Sequence, residues 1–265
     1  MNLKSRHLKN FINEIQYKNR NPRDTRALML LDDLSTNPER ILDVGEKLYR
    51  CRIIKDEGAI NKDEGFFGYN AKDSFVPPPS VTTDMRANYR YIPYLYCANH
   101  PYTAVVEVRP RLTSKVSVAT LTVEEPLRLL DFTMLNASSR MSEAKQNLFY
   151  DLSELYSKPV TNDDDTLDYI PTQYIAEYVK YLGYDGIAHK SSLTPEVNEN
   201  EIDRYNIVVF NYNKCRPIRS NVFEVISNTL EFRKIDASND SFKIESLFDE
   251  QLDELIKIQN KLLSH

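Results

Sequence analysis

The stretch from Arg86 to Pro110 constrains the fold more than any other part of the chain. Ile92 to Ala98 is a short apolar and aromatic run bounded by polar residues, the pattern of a buried strand. Asn99-His100-Pro101 then reads as a helix start: Asn99 suits the N-cap, Pro101 suits the first helical turn, and Thr103 to Glu107 continue it. Arg86 therefore sits just before a strand, Tyr96 on it, and Glu107 on the helix after it. These three residues are candidates for one side of a pocket.

The rest of the chain supplies mixed elements. Residues 3–19 carry Leu3, Leu8, Phe11, Ile12, Ile15 and Tyr17 at a spacing that gives one apolar helical face. Thr25 to Leu34 reads as a second helix with Leu28, Met29, Leu31 and Leu34 inward, and Pro38 to Val44 as a turn. Strands are expected over 47–54, 115–122, 127–132 and 205–210, with one or two more within 222–235. Helices are expected over 141–155, over 171–182 with Gly183 terminating it, and over 246–263. The last of these either docks on its own domain or makes a homodimer contact. Residues 55–85 lack periodicity, and a connection of that length reads as an active-site lid or wall, or as a plain surface loop. Without a regular βαβ repeat, the order predicts an α+β fold with a mainly antiparallel sheet. The expected division is a helical extension over 1–45, a main domain over 46–212, and C-terminal strands with an amphipathic helix over 213–265.

Several function classes are disfavoured. A net charge of -5 argues against a nucleic-acid-binding surface, although a local basic pocket is compatible with it. Cys51, Cys97 and Cys215 are an odd number far apart, so neither a zinc site nor a disulfide framework is expected. The acid run Asp163–Asp165 reads as a solvated loop rather than a metal site. No apolar run approaches a membrane span, and the expected location is cytoplasmic. There are only 6 glycines, none in a phosphate-loop pattern, so side chains would have to hold any phosphorylated ligand. Arg50, Arg52 and Arg86, which flank the early strands, suit that task. No nucleophile elbow accompanies the four histidines. Taken singly, Arg86 reads as an ion-pair residue, Tyr96 as core and Glu107 as a solvated helix residue.

Read in order, the residues resemble a known family. Tyr49-Arg50-Cys51-Arg52, Gly65 to Tyr69, Pro77 to Pro79, Arg86-Ala87-Asn88, Ile92 to Ala98 and Thr103 to Pro110 follow the pattern of the RES domain. Tyr184 to Ser192 and Asn206 to Phe210 resemble its C-terminal half. The resemblance covers roughly 46–212 and is to the longer members of the family. It implies an ADP-ribosyltransferase-like fold, a split, mainly antiparallel sheet with flanking helices. It also implies a bacterial toxin or defence effector that consumes NAD as substrate by hydrolysis or phosphorolysis, with an Xre-type antitoxin as partner in many members. By position Arg86 matches the family arginine, Tyr96 the pocket tyrosine and Glu107 the glutamate. Ser191 matches the serine, with Ser192 as its substitute. Two departures stand out: Thr83-Asp84-Met85 replaces a glycine-rich start, with Asn88-Tyr89 where Asn-Pro is usual, and His189 stands where tyrosine is common.

The implied roles follow from the chemistry. Breaking the nicotinamide–ribose bond develops positive charge on the ribose, and Glu107 would stabilise it. Arg86 would hold the pyrophosphate, Tyr96 would stack on the nicotinamide ring, and Ser191 would hydrogen-bond the carboxamide or a phosphate. His189 is expected to be a neutral, packed side chain. ADP-ribosyl transfer to a protein uses the same residues, and an inert binding module of the same fold is the competing class.

Overall fold

The computed structural model describes residues 3–60, 65–133, 140–158, 166–193 and 204–227. The chain divides into two units, Met1–Val225 and Ile226–His265, and every element named below belongs to the first. The helix expected over 246–263, the acid run at 163–165 and any strand beyond 227 lie outside the described residues.

The fold is α+β. Five helices accompany eight strands among the described residues: α1 (Arg6–Tyr17), α2 (Arg26–Asp32), β1 (Glu39–Leu42), β2 (Lys47–Ile53), β3 (Leu95–Ala98), α3 (Pro101–Glu107), β4 (Lys115–Val123), β5 (Leu127–Asp131), α4 (Glu143–Ser157), α5 (Ile170–Tyr181), β6 (Gly186–Lys190), β7 (Tyr205–Val209) and β8 (Cys215–Glu224). The strands form one sheet in the order β1-β5-β6-β7-β3-β2-β4-β8. Every pairing is antiparallel except β5 with β6, whose connection runs through α4 and α5.

The sheet is nearly two sheets. β3 pairs with β7 along its whole length, and β2 pairs with β4 over seven residues. Between β2 and β3 a single residue pair, Tyr49 with Ala98, holds the halves together. Strands that share one register pair diverge on either side of it, and that divergence opens a cleft in the middle of the sheet.

Alternation along the strands sends side chains to opposite faces. Leu130, Ile187 and Val208 join α1, α2, α4 and α5 in one apolar cluster, with Phe11, Leu28, Phe149 and Val179. Leu129, Ala188, Ile207 and Val209 face the other way, with Leu48, Leu121 and Cys215. A third, smaller cluster lies under α3: Cys51, Ala98, Ala104, Val116 and Val118. Gly186 is required where β6 meets β7, because a Cβ there would collide with the Val208 carbonyl oxygen.

The N-terminal helices are tied down by polar side chains as well as by packing. Asp151 accepts from the Lys4 and Ser5 amides at 3.1 and 2.6 Å. Lys145, 1% exposed, donates to the Asp33 carbonyl at 2.6 Å and to Thr36 at 2.7 Å. Thr25 caps α2 by accepting from the Leu28 amide.

The structure corrects the sequence expectations in five places. Pro38 to Val44 holds a strand, β1, rather than a turn; its edge position beside β5 and the Arg40–Asp131 ion pair at 2.9 Å define it. Met29 and Leu34 are exposed, while Leu30 takes the inward position on α2. β3 begins only at Leu95, since Pro93 has no amide to donate to a ladder. The N-cap of α3 is His100, whose Nδ1 accepts from the Tyr102 amide at 3.2 Å, and Asn99 instead pins the Tyr205 amide of β7 at 2.9 Å. The last strand starts at Cys215, seven residues before the expected Val222, because β4 continues to offer partners as far as Val123.

Of the long connection 55–85, the stretch around Gly68 is stitched to the sheet. The Gly68 amide donates to Ser220 Oγ at 3.0 Å, the Tyr69 amide to Ser117 Oγ at 2.9 Å, and Phe75 and Val76 pack on the second cluster.

Candidate active site

A cavity of about 370 Å³ lies at the split. β2 contributes Tyr49, Arg50 and Cys51; β3 contributes Tyr96, Cys97 and Ala98; α3 and the residues after it contribute Ala104, Glu107, Val108 and Arg109. Met85 to Ala87 close another side, and Tyr156 to Lys158, His189 and Asn206 to Val208 complete it. Arg50, Arg86, Arg109 and Lys158 are basic, and Glu107 is the one carboxylate among the described lining residues. A chain of net charge -5 thus gathers positive charge in its cleft. Such a cleft suits an anionic ligand.

Arg50 owes its environment to the split. It bridges the divergent strands by donating from Nη1 to the Tyr96 carbonyl at 3.2 Å, where a ladder bond would otherwise run. Its Nε is buried without a hydrogen-bond partner, and no carboxylate among the described residues pairs with it. Burial, with Arg52 adding like charge, lowers its pKa to about 10, so the guanidinium stays cationic at neutral pH. A buried cation facing a cavity is stabilised by an anion entering that cavity.

Arg86 is 6% exposed and sits 5.1 Å from the centre of the Tyr169 ring. Its segment is fixed by neutral side chains. The Ala87 amide donates to the Tyr96 hydroxyl at 3.2 Å, and that hydroxyl donates to Asn88 Oδ1 at 2.7 Å. Asn88 in turn donates to the Thr83 and Tyr89 carbonyls, both at 3.0 Å. Gln173 of α5 reaches across to donate to the Met85 carbonyl at 3.0 Å and the Asn88 carbonyl at 2.9 Å. Tyr96 therefore does two things: its ring lines the cavity, and its hydroxyl holds the turn that carries Arg86. Burial first of all pushes that hydroxyl's pKa well up, so it stays protonated and able to donate.

Glu107 is the last helical residue of α3 and is exposed at the cavity. One of its oxygens, Oε1, accepts from Ser191 Oγ and from Asn206 Nδ2, both at 2.6 Å. Ser191, rather than Ser192, reaches Glu107 among the described hydrogen bonds. It does not itself line the cavity. Arg52 also stands off, donating to the Phe75 carbonyl at 3.0 Å.

His189 is buried in the cavity wall, opposite Asn206 across the β6–β7 ladder. Burial lowers its pKa; its contact with the Lys190 carbonyl and the charge of Glu107 act in the opposite direction, and Arg86 adds to the lowering. It is a neutral side chain packed 5.8 Å from the Tyr156 ring. Among the described residues no group of three or more His, Cys, Asp or Glu could hold a metal ion, and no helix is long and apolar enough to cross a membrane.

Arg86, Tyr96, Glu107 and Arg50 thus meet in one cavity, with Ser191 joined to it through Glu107. Asn88, Gln173 and Asn206 are the residues that sequence reasoning missed. Asn88 and Asn206 stand within the stretches that carry the family resemblance, yet nothing local gives either a role, and Gln173 lies on an expected helix with none.

A family model for the RES domain matches residues 59–232. No curated protein matches. Among solved structures the chain is similar to one in the crystal structure of the M. tuberculosis MbcT–MbcA toxin–antitoxin complex, at 13% identity and a TM-score of 0.45, over 75% of this chain and 92% of that one.

Proposed function

The chain belongs to the RES domain family, and from that premise we propose that it cleaves the nicotinamide–ribose bond of NAD. The observation that carries this reading is Glu107, an exposed residue and the one carboxylate among the described residues of a cavity whose other described charged residues are cationic. A dinucleotide needs both features: cations for its pyrophosphate, and one anion for the ribose carbon that becomes positive.

In the proposed step the bond between ribose C1′ and the pyridinium nitrogen breaks, and its electron pair goes to the nitrogen. Nicotinamide leaves as a neutral molecule, so no strong general acid is required, which agrees with a neutral His189. The ribose carbon becomes oxocarbenium-like. Glu107 stabilises that charge more in the transition state than in the ground state, where the positive charge lies on the nicotinamide ring. Water then adds to C1′ and loses its proton to solvent, giving ADP-ribose; inorganic phosphate in its place gives the 1-phosphorylated sugar. Arg86 and Arg50 hold the pyrophosphate, and the Tyr96 ring offers the nicotinamide a stacking surface. Ser191 acts here on Glu107 rather than on the ligand directly.

The family resemblance carries the biological setting, a toxin or defence effector restrained by a protein antitoxin. The test is nicotinamide release from NAD by the purified full chain, with and without phosphate and with a cell extract. Free ADP-ribose identifies hydrolysis, a phosphorylated sugar identifies phosphorolysis, and labelled protein bands identify transfer. Absence of nicotinamide release under all three conditions overturns the proposal.

A further inference from the structure

We infer that Asn206 is a positioning residue for Glu107, forming with Ser191 a two-donor clamp that ties down Oε1 and leaves Oε2 to face the ligand. The inference rests on the proposed role of Glu107.

The need for a clamp follows from where Glu107 sits. α3 is only seven residues long, and Glu107 is its last. The C-terminal end of a helix carries partial negative charge, which disfavours a carboxylate there. A glutamate side chain that is exposed also has three rotatable bonds to order. Left alone, this carboxylate would point away from the helix end and into solvent.

Asn206 is built to prevent that. It lies on β7, between two ladders, with Ala98 of β3 on one side and His189 of β6 on the other. The preceding residue, Tyr205, exchanges bonds with Asn99 at both its amide and its carbonyl. The Asn206 backbone is therefore fixed by the interior of the sheet, and its side chain projects that rigidity to Glu107. Nδ2 of Asn206 and Oγ of Ser191 both stand 2.6 Å from the same oxygen, Oε1. Among the described residues Oε2 accepts no hydrogen bond. Two donors converging on one oxygen set the plane of the carboxylate and make its two oxygens inequivalent. An amide suits this better than a cation would, since it directs the carboxylate without neutralising the charge that the ribose is to meet.

The experiment compares Asn206→Ala and Asn206→Asp in the full chain by steady-state nicotinamide release. Asn206→Asp keeps the size but replaces the donor with an acceptor. Both are expected to lower kcat about 10- to 100-fold, the range for a lost hydrogen bond to a charged group, with KM changed less than about twofold. In a Glu107→Ala background, Asn206→Ala is expected to leave the residual rate within about twofold, because nothing remains to position. An equal loss in both backgrounds, or full kcat in Asn206→Ala while Glu107→Gln is impaired, overturns the inference and leaves the reading of Glu107 intact. Should Glu107→Gln itself retain full turnover, the reading of Glu107 fails instead. A crystal structure of Asn206→Ala then decides the clamp: a Glu107 carboxylate spread over several rotamers supports it, and one held as in the unsubstituted chain refutes it.

Discussion

The two sides of the cavity are built by opposite means. On the arginine side, Arg86, Asn88 and Gln173 are 6, 1 and 2% exposed, and the turn is held by a chain of neutral hydrogen bonds to backbone carbonyls and amides. On the glutamate side, an exposed carboxylate at the end of a one- to two-turn helix is steered by two side-chain donors. Position on the first side is tied to folding, because Arg86, Asn88 and Gln173 are themselves buried and the bonds of Asn88 and Gln173 form as the chain packs. On the second side it is added to a frame that would fold without it. Substitutions on the arginine side should therefore cost stability and activity together, and those on the glutamate side activity alone.

That contrast can be broken in order of expected loss of stability. Gln173→Leu takes the side-chain donor from the Met85 carbonyl and leaves the Asn88 carbonyl only the Met85 amide, and about 1–3 kcal/mol should be lost in urea unfolding. A loss under 0.5 kcal/mol would mean that the turn holds without α5. Tyr96→Phe keeps the ring but removes the hydroxyl between Ala87 and Asn88; about 1–2 kcal/mol should go, and the KM for NAD should rise as Arg86 loosens. Unchanged KM with lost stability would separate the turn from the binding of substrate. Ser191→Ala should stay within about 0.5 kcal/mol of the parent while kcat falls roughly tenfold, and equal losses in both would erase the distinction between the sides.

The smallest effect is set by pH. The pKa of His189 is held below 6.5 by burial, so the unfolded chain binds the proton more readily than the folded one. The stability this contributes is complete above the unfolded value and is lost progressively as pH falls from there through the lower, folded value. The melting temperature should decline between pH 7 and 5.5, before the depressed carboxyl groups of Glu39 and Asp185 are protonated. His189→Gln should flatten the decline, and an unaltered slope would assign it elsewhere.

Local patterns made much of this molecule legible in advance. Alternation marked β2 and β4, a buried apolar run marked β7, and Gly183, with φ of +88°, stops α5 where a helix-ending glycine should. Arg86, Tyr96 and Glu107 could be assigned to one strand–helix unit because they lie within 22 consecutive positions. Features that depend on distant partners were not legible. β1 is four residues long with no alternation of its own, and it exists by pairing with β5. Gln173 serves a turn 85 residues upstream, and Asn206 serves a glutamate 99 residues away. The split itself, one residue pair between β2 and β3, is a property of two strands separated by the long connection. Nor does the sequence distinguish Arg50, which bridges the split into the cavity, from Arg52 two positions on, which turns to Phe75.

The most direct test of Glu107 is nicotinamide release by Glu107→Gln, in protein whose unfolding curve matches that of the parent. Loss of charge with the shape retained should lower turnover at least ~100-fold, about 3 kcal/mol of transition-state stabilisation, with no change in stability. Turnover within a few-fold of the parent in the folded variant would contradict the account.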